Sequence, residues 1–90
     1  KLSEADVDAI AKITIKELER RLQEHGITLS IKPEVIRKVA ALGYSTEYGA
    51  RPLKRTVQRM LTVPLSQFIL KNPEKKEIAI TLKNDEIVMA

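Results

Sequence analysis

Arg51, Arg55 and Arg59 recur every fourth residue, with Lys54 beside them. On a helix this spacing sets guanidinium groups down one side. Arginine is always charged and offers five N–H donors in a rigid fork, which suits phosphate or carboxylate. Pro52 fits the first position of a helix, so the cations are expected at a helix start. Four backbone N–H groups there lack intrahelical partners. Exposed cations at that end oppose the macrodipole, at a cost of about 0.3–1 kcal/mol each. A helix start that adds Arg to free N–H groups is suited to an anion, most naturally a phosphate. The alternative is a plain solvated stripe, screened by water and salt. Spacing alone leaves both open.

Other chemistry is missing from the sequence. A phosphate-cradling P-loop needs Gly-rich backbone followed by Lys and Ser/Thr, and the three glycines here stand apart. A hydrolytic triad needs a base, and the one histidine, His25, reads as a cation favourable to a helix C-terminus. Glu4, Asp6 and Asp8 cluster, but at a helix start, where electrostatics accounts for them. Cysteine is absent, which removes disulfides and thiolate metal sites and fits a reducing compartment. The isolated chain is therefore not expected to be an enzyme, nor to hold a cofactor or metal.

The elements that must position the arginines follow from periodicity. The 90 residues are 43% hydrophobic and carry a net charge of +4, enough for one domain with a modest core. No run approaches the roughly 18 apolar residues of a membrane span. The excess charge sits in the middle: residues 31–71 hold eight Lys+Arg and two Asp+Glu. The chain opens on Lys1, so it is expected to be cut from something longer, with residues 1–90 a single domain.

Ser3 and Asp6 have capping-box spacing, and Val7, Ile10, Ala11, Ile15, Leu18 and Leu22 share one helical face. His25-Gly26 read as the end of that helix. Ile13 falls off the stripe. Ile27, Leu29 and Ile31 alternate as a short strand. Pro33 opens a second helix whose buried side is predicted to be Val35, Ile36, Val39, Ala40 and Leu42, ending at Gly43. Residues 44–50 make a loop. From Pro52 a third helix runs, with Leu53, Val57, Met60, Leu61, Leu65 and Phe68 on an arc of roughly 140°. Pro64 lies inside it and cannot donate to the Met60 carbonyl, which predicts a kink. Ile78, Ile80 and Leu82 alternate as a strand, Asn84-Asp85 make a tight turn, and residues 86–89 return. The class is α+β, in the order helix, strand, helix, helix, strand, strand, with three helices on a small, roughly three-stranded sheet.

The segment from Gly43 to Arg55, Gly-Tyr-Ser-Thr-Glu-Tyr-Gly-Ala-Arg-Pro-Leu-Lys-Arg, closely resembles the "GY…YGARPLKR" stretch of Clp-type AAA+ ATPases, the ClpB, ClpC and ClpA group. The resemblance extends over nearly the whole chain, through Arg21-Leu22 in the first helix and Pro64-Leu65 in the third. It is to the C-terminal small domain of the second ATPase module. It implies that Arg51 is the sensor-2 residue, reaching the γ-phosphate of ATP bound on the large domain of the same module. Lys54 and Arg55 become further nucleotide-binding candidates, beside a solvated or subunit-contact reading. Tyr44, Tyr48 and Gly49 become loop supports. The resemblance implies ATP or ADP with Mg in the parent. It also implies a lid over the nucleotide, contact with the large domain of a neighbouring subunit in a hexamer, and unfolded or aggregated protein as substrate. The expected setting is the bacterial cytoplasm or an organelle matrix. Disaggregase and peptidase-partner unfoldase are not distinguished.

Two readings from other classes compete. A basic nucleic-acid-binding module would use the positive middle segment, but only Tyr44, Tyr48 and Phe68 could stack on bases. An interaction scaffold without a nucleotide link would need none of the arginines.

Overall fold

The computed structural model describes residues 3–45 and 47–90. Helix α1, Glu4–Glu24, starts on a reciprocal cap. Ser3 N–H donates to the Asp6 carboxylate at 3.0 Å, and Asp6 N–H donates to Ser3 Oγ at 3.2 Å. Val7, Ala11, Ile15 and Leu18 form its buried stripe, while Ile13, off that stripe, is 64% exposed. The helix closes at His25, and Gly26 turns the chain at φ 80°.

Strand β1, Thr28–Ile31, and helix α2, Pro33–Leu42, follow. The third helical segment has three parts in one run: α3 (Leu53–Val57), a π turn (Gln58–Thr62) and α4 (Val63–Lys71). Strands β2, Glu77–Lys83, and β3, Glu86–Met89, complete the chain. The sheet order is β1-β2-β3, with β1 parallel and β3 antiparallel to β2. Asn84 and Asp85, at φ 53° and 63°, make the reversal that two short polar residues tolerate. This is the predicted α+β order.

One core joins the layers. Val7, Ala11, Ile15 and Leu18 of α1 pack with Val35, Val39 and Ala40 of α2, Leu29 of β1, and Ile78 and Ile80 of β2. The third helix adds Leu53, Val57, Leu61 and Leu65, and Met60 and Phe68 pack on the edge. The predicted arc is thus the buried one.

Three details differ from the sequence reading. Leu42 is 55% exposed rather than part of the core. The buried place at the end of α2 belongs to Gly43 instead. A Cβ there would collide with Leu53 Cδ1 and sit 3.0 Å from Leu53 Cα, so Leu53 fills that space. The expected effect of Pro64 takes the form of a π turn. Val63 N–H reaches back to Gln58 O, five residues away, so the ladder is already re-registered where the proline lacks a donor. Finally, Thr56 is buried, which its polarity did not suggest. Its hydroxyl donates to Pro52 O at 3.0 Å, so the burial leaves nothing unsatisfied.

Candidate functional site

The loop between α2 and α3 is held by its own short bonds. Ser45 and Gly49 pair in both directions: Ser45 N–H donates to Gly49 O at 2.8 Å, and Gly49 N–H to Ser45 O at 2.6 Å. Gly49 has φ 64°, a left-handed conformation that suits glycine. Ser45 Oγ accepts from Glu47 N–H and Tyr48 N–H at 3.1 and 3.2 Å, a serine turn closed from the side chain. Two further turns lead into the helix. Arg51 N–H donates to Tyr48 O at 3.2 Å, and Leu53 N–H to Ala50 O at 3.0 Å. Behind them, the contact between Gly43 and Leu53 fixes the end of α2 against the start of α3.

These constraints place Arg51 directly before the N-cap, Pro52, rather than inside the first helical turn, as the sequence suggested. The macrodipole cost therefore falls on Lys54 and Arg55, which lie in the first turn of α3, and not on Arg51. The free N–H cradle is also smaller than expected. Pro52, the N-cap, has no N–H, and the Leu53 N–H is used by Ala50.

Around this corner lies an open depression of about 440 Å³, lined by Tyr48, Arg51, Pro52, Lys54, Arg55 and Gln58. Three of the six are basic and none is acidic. The Arg51 guanidinium carbon is 5.7 Å from the centre of the Tyr48 ring, at the outer range of a cation–π contact. No carboxylate pairs with Arg51 among the described residues. Among the described residues the one ion pair is Lys38–Asp85, at 3.2 Å between α2 and the turn joining β2 and β3. Arg51, Lys54 and Arg55 are exposed. The corner can hold a multiply charged anion. Among the described residues no group of three His, Cys, Asp or Glu could hold a metal ion.

Of the predicted residues, Arg51, Lys54, Arg55 and Tyr48 come together at the depression, and Gly49 shapes the loop behind it. Arg59 does not line it, so the line of three arginines divides. Tyr44, 36% exposed, precedes the serine turn and does not line the depression either. Thr46 lies outside the described residues. Ser45, Pro52 and Gln58 were not singled out from sequence. A serine two and three residues ahead of the N–H groups it accepts from was the available signal for the first.

The chain can now be set beside known proteins. The family model described as "C-terminal, D2-small domain, of ClpB protein" matches residues 2–82. The chain is similar to the chaperone protein ClpB of Pseudomonas putida, 43% identical over 89 residues, covering 97% of this chain and 10% of that protein. The chaperone protein ClpB of Vibrio vulnificus (strain YJ016) is 38% identical over 90 residues, with the same coverage. The ATP-dependent Clp protease ATP-binding subunit ClpE of Bacillus subtilis is 37% identical over 78 residues, 87% of this chain and 11% of that subunit. The chain therefore spans about a tenth of the length of these relatives.

Proposed function

The chain belongs to the family of C-terminal, D2-small domains of ClpB, and from that premise we propose that it is the lid and sensor-2 domain of a longer ring-forming ATPase. The parent would be a chaperone of the Clp family, as the ClpB relatives are, with unfolded or aggregated protein as its substrate. Such a parent would work in the bacterial cytoplasm, a reading supported by its bacterial relatives. Residues 1–90 form one domain of it, not an enzyme alone.

The observation that carries this reading is the exposed Arg51 guanidinium, set at the mouth of an acid-free depression with no carboxylate partner among the described residues. ATP would be bound with Mg on the parent's large domain and would bring the phosphates to this corner. Arg51 would donate its fork to the terminal phosphate oxygens, where negative charge must be held. Tyr48 keeps the guanidinium turned outward, and the serine turn, Gly49 and Tyr44 support the loop. Lys54 and Arg55 add charge without needing direct contact. Because Arg51 is fixed to the lid by two backbone turns, its grip on phosphate would couple nucleotide state to lid position. The lid would also bear on the large domain of a neighbouring subunit in the hexamer. The nucleic-acid reading has less support, since none of the three strands carries an aromatic residue for stacking.

The test is Arg51→Ala in the full-length parent. ATP turnover is expected to fall by about 10²-fold or more, the size seen when one preorganised donor to a charged centre is removed. Turnover equal to the wild type would overturn the reading. Arg51→Lys should recover only part of the loss, because Lys is a point charge without the fork.

A further inference from the structure

The Ser45 hydroxyl has two partners in the loop and no place in the depression. Its Oγ accepts from Glu47 N–H at 3.1 Å and from Tyr48 N–H at 3.2 Å. A hydroxyl oxygen has two acceptor lone pairs, so both are used. Ser45 does not line the cationic corner.

The loop does not need that hydroxyl to close. Ser45 and Gly49 are joined through their own backbone groups in both directions, and every residue but proline carries both of those groups. Ser45 is not at positive φ, so its backbone asks for no special residue; Gly49, at φ 64°, makes the sharp turn. What the hydroxyl adds is an anchor inside the loop. It holds the amide that leads into Tyr48, and Tyr48 meets Arg51 twice. The Tyr48 carbonyl accepts from Arg51 N–H at 3.2 Å, and the Tyr48 ring centre lies 5.7 Å from the Arg51 guanidinium carbon. Two hydrogen bonds in series thus link the Ser45 oxygen to the backbone of Arg51. Packing offers little to replace them, because Tyr48 is 56% exposed and Arg51 is exposed too.

We infer that Ser45 is a positioning residue for ATP turnover by the parent. Its oxygen holds Tyr48, and Tyr48 holds the Arg51 fork where the terminal phosphate is met. Ser45 itself touches no nucleotide. The property used is an acceptor oxygen close to the main chain, not the hydroxyl proton. The inference rests on the reading of Arg51 as a donor to phosphate, and adds the atom that aims it. A reacting group displaced by about 1 Å can lose about 10²-fold in rate. Loss of the anchor leaves Arg51 in place but less well aimed, so the expected loss is smaller, about tenfold.

The experiment measures steady-state ATP turnover by the full-length parent. Ser45→Ala should lower kcat about tenfold and leave KM for ATP within about twofold, since aim toward the transition state falls on kcat. Ser45→Thr and Ser45→Asn each keep an oxygen able to accept from the N–H two residues on, and at least one should restore most of the loss. In an Arg51→Ala background, Ser45→Ala should change turnover no further. A general weakening of the fold would lower turnover in both backgrounds. Wild-type turnover in Ser45→Ala, no recovery in either acceptor variant, or an equal loss with and without Arg51 would each overturn the inference. The two readings fail differently. Wild-type turnover in Arg51→Ala removes the lid reading and this inference with it. A large loss in Arg51→Ala with none in Ser45→Ala removes the inference alone.

Discussion

Two helix starts in this small domain are built on opposite plans. At the start of α1, Ser3 and Asp6 satisfy each other's backbone groups reciprocally, and Asp6 and Asp8 place negative charge at the positive helix end. At the start of α3 the N-cap is Pro52, with no side-chain cap bond, and Lys54 and Arg55 set positive charge where the dipole opposes it. The first plan makes the helix stable from its own residues. The second leaves the helix start electrostatically unfavourable and holds it from behind, through Leu53 under Gly43 and the Thr56 hydroxyl on Pro52 O. A site that must meet an anion from elsewhere cannot carry the carboxylates that would stabilise it. Its support is therefore moved into the core.

The sharpest way to break this contrast is to remove the support. Leu53 is 1% exposed and fills the space beside Gly43. Leu53→Ala should destabilise the domain by about 2–5 kcal/mol, the range for emptying a packed leucine site. Small folds hold as little as about 5 kcal/mol in total, so that is a large share. Denaturant unfolding measures it. A loss below about 1 kcal/mol would mean that the start of α3 does not lean on the core.

A smaller effect of opposite sign tests the electrostatic half. Lys54→Glu removes an unfavourable cation from the first turn of α3 and adds a favourable anion. Stability should rise by about 0.3–1 kcal/mol, while binding of tripolyphosphate to the domain weakens. A fall in stability would show that Lys54 is held by contacts rather than opposed by the dipole. The pairing of gain in one property with loss in the other is what distinguishes this start from that of α1.

Much of the molecule was legible because its signals are local. Ser3 with Asp6 fixed the first helix start, alternation at Ile78 and Ile80 fixed a strand, and Asn84-Asp85 fixed the turn between β2 and β3. The buried arc from Leu53 to Leu65 was readable from a period of 3.6. What escaped depends on where elements meet. Leu42 has the right phase for burial, but Gly43 and Leu53 occupy that place. Arg51 has the right spacing for a helical line, but two successive turns set it ahead of the helix. Pro64 announced a disturbance without saying that a π turn would absorb it. The loop itself was legible through family resemblance more than through periodicity, since its conformation rests on one serine hydroxyl and one left-handed glycine.

The smallest effect concerns acid. The Ser3 N–H, and after it the Ser3 hydroxyl, hold the Asp6 carboxyl below its ordinary value of 3.8. A group whose pKa is lowered by folding contributes stability that is present above its unfolded value and is lost as pH falls through the folded one. The advantage of the wild type over Asp6→Asn in melting temperature should thus be constant at neutral pH and shrink only below about pH 4. NMR titration of the Asp6 carboxyl supplies the independent check, and a midpoint at or above 3.8 would remove the capping box from the account. The start of α3 can show no such step. Its first turn has no carboxylate to protonate. Acid should therefore loosen the end of the molecule that is built for stability and leave unchanged the electrostatics of the end that is built for an anion.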